Sequence, residues 1–143
     1  MCFKKFYFAS LNNYVVVGTG NKVEDFGIGF YTKYGDGGVD ISPIADLSKS
    51  EVYELAEHLK IGNEIIVAKP TDGLWDDNRT DEEQIGASYD EIEWAMQQKE
   101  LGKKLKDFND REKEVFEIFE KHHNNNLHKM KPIPVCKIPN KLK

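Results

Sequence analysis

Between Tyr14 and Lys49 the chain reads YVVVGTGNKVEDFGIGFYTKYGDGGVDISPIADLSK, and this stretch limits the possible folds more than any other. Tyr14-Val15-Val16-Val17 is an unbroken run of β-formers, the pattern of a parallel strand covered on both faces. Gly18-Thr19-Gly20-Asn21 ends that run, and in open α/β sheets ligands lie beyond the carboxyl ends of the strands. No helical or strand period is sustained from residue 21 to 47, so this part is predicted to be loop with short turns. Its glycine content and polarity do not suit a core. They suit backbone that comes close to an anion.

The flanking sequence is predicted to be mostly helical. Met1–Ser10 carries Phe3, Phe6 and Tyr7 at helical spacing, and such an aromatic face needs a neighbouring surface. Ser48 with Glu51 forms a capping-box pattern ahead of Val52, Leu55, Ala56 and Leu59, with Gly62 as the expected stop. Ile65–Val67 fits a strand or a turn of helix. Residues 70–84, rich in Asp72, Asp76, Asp77, Asp81, Glu82 and Glu83, read as a long acidic loop of the lid type. Ser88 with Glu91 and Asn109 with Glu112 cap two further helices, the last striped by Val115, Ile118, Phe119 and His122. From Asn124 to Lys143 the asparagines, prolines and lysines predict an extended or flexible tail.

With 143 residues, 39% hydrophobic, the chain has the size and apolar content of one domain. A net charge of −5 argues against a nucleic-acid partner. No apolar run is long enough to span a bilayer, so no membrane is expected. Cys2 and Cys136 lack metal spacing, and together with the absence of a signal-like start they predict a reducing, cytoplasmic setting.

Several residues have the chemistry of a phosphate site. Gly18-Thr19-Gly20 offers backbone N–H groups and a hydroxyl, although taken alone it is also an ordinary tight turn. Glu24, beside Asp25, is a carboxylate of the kind that shares Mg²⁺ with phosphates, or else part of a solvated acidic turn. Lys33 and Asp40 flank the turn Gly35-Asp36-Gly37-Gly38, and Lys49 follows in the first turn of a helix, where a cation opposes the dipole. Thr71 opens the acidic loop. His122-His123 lacks further ligands at metal spacing, and nothing next to Cys136 in sequence would activate it. From the residues alone the chain reads as an anion- or nucleotide-binding α/β domain.

The runs GTGNKVEDFGIGFYTKYGDGGVDISPIADLSK and KPTDGLWDDNRTDEEQIGASYDEIE, with His128-Lys129 beyond them, resemble ammonia-dependent NAD synthetase from about residue 6 to about residue 135. The resemblance implies a Rossmann-like fold of the adenine nucleotide alpha hydrolase type, a parallel sheet with flanking helices, in a homodimer. It also implies amidation of deamido-NAD by Mg²⁺, ATP and ammonia through an adenylated intermediate. Carried over by position, Thr19, Lys49 and Thr71 would contact ATP, and Glu24 would bind Mg²⁺. Lys33, Asp40, His128 and Lys129 would contact deamido-NAD.

The family's SGGxDS phosphate loop does not occur in this sequence, and an arginine that contacts the dinucleotide would fall just before residue 1. The chain therefore resembles a single partial domain, the C-terminal half of the enzyme, and alone it is expected to be inactive. The other readings are a non-catalytic remnant serving as a nucleotide-binding or dimerisation module, and an unrelated phosphate-binding α/β protein. Whether the family's nitrogen source here is ammonia or glutamine is left open by the sequence, although the short lysine-rich ending resembles the ammonia-dependent form.

Overall fold

Four of the helices begin where Ser, Thr or Asn stands three residues ahead of a glutamate. In every case the small side chain accepts from the backbone N–H of the glutamate, whose carboxylate accepts in return from the capping residue's N–H. The computed structural model describes residues 2–71, 73 and 79–142. Its helices are α1 (Cys2–Asn12), α2 (Lys49–His58), α3 (Asn63–Ile66), α4 (Asp81–Ile85), α5 (Tyr89–Glu100) and α6 (Asp110–Met130). A π-helical segment, Val23–Ile28, lies between α1 and α2.

The core is assembled on one side. Val23 and Ile28 of the π-helix meet Tyr89, Ile92 and Ala95 of α5 and Val115, Phe116 and Phe119 of α6. Trp94 meets Phe108 edge-on and Phe108 meets Phe116 at a tilt, with ring centroids 5.1 and 5.2 Å apart. Ile92 is wholly buried among these groups. Ile92→Ala is expected to cost ~3–4 kcal/mol, from lost transfer energy plus an unfilled cavity, read as a lower urea midpoint with unchanged slope.

The parallel strand is the largest departure from the predicted pattern. Among the described residues its pairing is a single parallel bridge, Val17 to Ile41. Gly18 N–H donates to the Ile41 carbonyl at 2.7 Å and Asp40 N–H to the Val16 carbonyl at 2.8 Å. Only Val16 of the run is buried, so the expected cover on both faces is missing.

Three further expectations are corrected. The predicted loop 70–84 gives way to helix α4 from Asp81, because Thr80 and Glu83 supply a capping box that the acidic composition obscured. The stop after α2 is Lys60 in the left-handed region (φ 57°), whereas Gly62 begins α3. The expected tail from Asn124 stays helical to Met130. Side chains of that last stretch donate to the loop after the π-helix: Asn126 Nδ2 to Ile28 O at 2.9 Å, and Lys129 Nζ to Gly29 O at 2.8 Å and Tyr31 O at 2.7 Å. These long-range bonds hold in helix a sequence whose asparagines have low intrinsic preference for it. The Phe3 side chain, Asp72, Asp76 and Asp77 lie outside the described residues.

Gly29 has φ 63°, and a Cβ there would stand 2.5 Å from Cβ of Asn126. Gly29→Ala therefore combines a strained conformation with a collision between the π-helix exit and α6. An expected loss of ~2 kcal/mol or more is measurable by thermal unfolding.

Candidate functional site

Asn21 begins the site. Its buried side-chain carbonyl accepts from the N–H groups of Val23 and Glu24 at 3.0 and 3.1 Å, fixing the start of the π-helix just after the Gly-Thr-Gly turn. The segment's first turn then carries Glu24 and Asp25 into a cavity of about 290 Å³. Thr19, Gly20, Tyr31, Asp36, Gly37 and Lys129 also line this cavity. A Cβ at Gly20 would meet the Asp25 carboxylate, so a larger residue there would have to turn that side chain aside. π-Helical segments are uncommon and concentrate at functional sites.

Glu24 is the centre of the charge arrangement. One of its oxygens, Oε1, accepts from Lys49 Nζ at 2.8 Å and from the Tyr89 hydroxyl at 2.8 Å. The Lys49 ammonium also stands 4.6 Å from the centre of the Tyr89 ring. Glu24 thus offsets the cost of a cation at the start of α2. Tyr89 is nearly buried and reaches Asp81 Oδ2 at 3.3 Å as well. Its phenol is pushed far above the ordinary range by burial, then by the Glu24 charge, so it acts as a fixed neutral donor.

Asp25 has its carboxyl raised from 3.8 to about 6, first by burial and then by the charges of Glu24 and Asp36. A raised folded-state value gives stability that is complete below pH 3.8 and is lost as pH rises through about 6. Asp25→Asn is expected to gain ~1 kcal/mol at pH 8 and nothing at pH 3, the effect being moderated by the carboxyl's half-exposure. Urea unfolding at the two pH values reads the difference.

The remaining predicted residues are placed as follows. Lys33 Nζ donates to the His128 carbonyl at 2.6 Å, tying the loop after the π-helix to the end of α6. Lys129 lines the cavity, and burial lowers its ammonium from the usual value, with Asp36 opposing. Asp40 accepts from Val16 N–H at 2.7 Å through Oδ2, which makes it a clamp on the parallel bridge. Thr71 stays outside the cavity, donating to Arg79 O and accepting from Gly73 N–H, each at 3.2 Å. Thr19, Glu24 and Lys129 therefore share one cavity, and Lys49 joins it through Glu24. His122 and His123 contact the carbonyls of Ile85 and Gly27. Neither capping nor periodicity points to Tyr89, whose contact with Glu24 spans 65 residues, whereas Asn21 carries a local signal that went unread, the Asn-x-x-Glu spacing to Glu24.

The sequence pattern of NAD synthase matches residues 1–133. The chain belongs to the NAD synthase family. Archaeoglobus fulgidus NH(3)-dependent NAD(+) synthetase is 40% identical over 133 residues, which are 93% of this chain and 51% of that protein. NMN synthetase from Francisella tularensis superposes with a TM-score of 0.74 at 33% identity, covering 94% of this chain and 50% of the other. The NH3-dependent NAD synthetase from Campylobacter jejuni gives 0.66 at 25% identity, covering 92% and 49%. The chain thus spans about half the length of these NAD synthase relatives and matches their C-terminal half. The likeness places it in the α/β adenine nucleotide alpha-hydrolase class, although its own described residues are mostly helical.

Proposed function

We propose that this chain supplies one wall of a site for ATP-dependent amidation of deamido-NAD to NAD, with ammonia as nitrogen donor. The observation that carries the proposal is the convergence of Thr19, Glu24 and Lys129 on one cavity, with Lys49 and Lys33 beside it. A carboxylate is a poor electrophile. Its oxygen attacks the α-phosphorus of ATP and pyrophosphate leaves; ammonia then attacks the acyl carbon, loses a proton, and AMP departs. Positioning and charge neutralisation supply most of the catalysis in such chemistry. In this reading Lys129 and Lys33 orient the dinucleotide while Lys49, Thr19 and Thr71 face ATP. Asp40 and His128 complete the dinucleotide side.

The residues fit Mg²⁺ of the phosphate-shared kind. Glu24 Oε2 makes no hydrogen bond among the described residues, and the Asp25 carboxyl beside it is pushed up by burial first and then by the Glu24 and Asp36 charges, which a cation would offset. No group of three or more metal-type side chains occurs among the described residues, so the ion would be held mainly by phosphates and water. When bound, it would neutralise phosphate charge as pyrophosphate leaves. We assign the reaction to the cytoplasm and to a homodimer by family likeness; no helix among the described residues is long and apolar enough to cross a membrane.

The Francisella structure supports a second reading of the substrate, since that protein is an NMN synthetase. Calorimetry with deamido-NAD and with nicotinic acid mononucleotide, each in Mg²⁺, separates the two. Tighter binding of deamido-NAD is expected, equal binding favours the mononucleotide, and no binding of either contradicts a substrate site. The purified 143-residue chain is expected to form no NAD, because the SGGxDS motif is not in its sequence. Turnover by the chain alone would refute a divided site. Binding without turnover, even beside the other half of the fold, would indicate a nucleotide-binding module.

A further inference from the structure

Tyr89 is the first residue of α5 and touches both ends of the Glu24–Lys49 pair. Its hydroxyl reaches Glu24 Oε1 at 2.8 Å, and its ring centre lies 4.6 Å from the Lys49 ammonium. A phenol has one proton to give, and the bond to Glu24 is shorter than the 3.3 Å approach to Asp81 Oδ2. The proton therefore goes to Glu24. Tyr89 is itself anchored: its ring is in the core, and its backbone N–H donates to Glu82 Oε1 at 2.9 Å. One turn further along the same face of α5, Glu93 accepts from Ser50 through both oxygens, from the N–H at 3.0 Å and from the hydroxyl at 2.7 Å. Ser50 follows Lys49 in the first turn of α2. One face of α5 thus grips both the Glu24 carboxylate and the turn that carries Lys49.

The grip is unequal between the two oxygens of Glu24. A carboxylate oxygen accepts about two hydrogen bonds, and Oε1 has its two, from Lys49 Nζ and from the Tyr89 hydroxyl. Oε2 has none among the described residues. Glu24 lines the cavity, whereas Lys49 and Tyr89 do not. The carboxylate is therefore held through one oxygen from behind the cavity wall, and the other is left to the cavity. Lys49 alone would not fix this orientation, because an ammonium on a flexible stem can follow either oxygen as the carboxylate turns. The Tyr89 ring, packed in the core, is a rigid arm that removes that freedom.

We propose that Tyr89 is a positioning residue for a divalent cation: by donating to Glu24 Oε1 it presents Oε2 to the cavity as the oxygen that meets the ion. The inference rests on the proposed reading that Glu24 receives Mg²⁺ beside phosphate, and it adds the group that aims the carboxylate. Carboxylates that ligate metals are themselves hydrogen-bonded, and loss of such an outer partner costs roughly 10- to 100-fold in metal affinity. Tyr89→Phe isolates this effect, since the ring and its packing are kept and only the hydroxyl is lost.

The test titrates Mn²⁺, a paramagnetic substitute for Mg²⁺, together with ATP into the ¹⁵N-labelled full chain and reads the broadening of each amide signal. In the parent, saturable broadening is expected first at Gly20, Glu24 and Asp25. Tyr89→Phe should need at least tenfold more Mn²⁺ to reach half of that broadening. Ile92→Val, in the same helix and the same core, is the control for lost stability. It should lower the thermal midpoint and leave the Mn²⁺ dependence as in the parent. A smaller loss in Tyr89→Phe, or an equal loss in Ile92→Val, would overturn the positioning role while leaving the cation site in place. No saturable broadening at Glu24 in the parent would instead remove the cation from the proposed function, and the inference with it.

Discussion

Glu24→Ala is expected to lower stability by ~3 kcal/mol, the largest effect of any single change at the cavity. The Lys49 ammonium and the Glu24 carboxylate are both largely buried, at 17 and 18% side-chain exposure. Removing the carboxylate strands a cation in the first turn of α2, where the helix dipole already disfavours it. It also takes an acceptor from the Tyr89 phenol, leaving Asp81 as that hydroxyl's remaining partner. In a protein of this size the thermal midpoint should fall by roughly 10 °C. Replacing both ends of the pair by Glu24→Gln with Lys49→Met should cost less than Glu24→Ala, because no charge is then left unpaired. Tyr89→Phe separates the phenol's part, with an expected loss of ~1–2 kcal/mol. A coupling between Glu24 and Tyr89 near zero in a double-mutant cycle would contradict the shared-oxygen geometry.

The second large effect is expected at Lys129. Its ammonium donates to the carbonyls of Gly29 and Tyr31 and stands 5.4 Å from the Tyr31 ring, holding the end of α6 on the loop that lines the cavity. Lys129→Ala should destabilise the chain by ~2 kcal/mol and weaken dinucleotide binding at least tenfold. Lys129→Arg keeps the charge but changes the donor geometry, and should recover part of each loss. Calorimetry at low and high salt reads the electrostatic share, and a variant that binds as the parent does would remove Lys129 from the proposed site.

The sequence disclosed local features well and long-range ones poorly, for a physical reason. The starts of α2, α5 and α6 depend on a hydroxyl or amide and a carboxylate three residues apart, so Ser48, Ser88 and Asn109 are readable in place. Thr80 uses the same device but is hidden in an acidic run. The helical stretch Asn124–Met130 depends on carbonyls nearly 100 residues earlier, and no local pattern carries that information. The Tyr14–Val17 run has the composition of a covered strand, yet among the described residues only Val16 of it is buried. The site divides in the same way. Residue chemistry points to Thr19, Glu24 and Lys49, and the family resemblance adds Lys129; their convergence on or beside one cavity is a property of the fold. Tyr89, placed by α5 against Glu24, has no sequence signal beyond its aromatic character.

In the proposed reading the cavity between the Gly-Thr-Gly turn, the π-helix and the end of α6 receives the dinucleotide. A titration of the ¹⁵N-labelled chain with deamido-NAD and Mg²⁺, followed by two-dimensional NMR, tests this directly. The expected result is saturable shifts at Gly18–Gly20, Glu24, Asp25, Gly37 and Lys129, all needing at least tenfold more ligand to saturate in Lys129→Ala. Saturable shifts confined to another surface, such as the groove between Ser48–Glu51 and Glu93–Glu100, or no shifts at all, would contradict it.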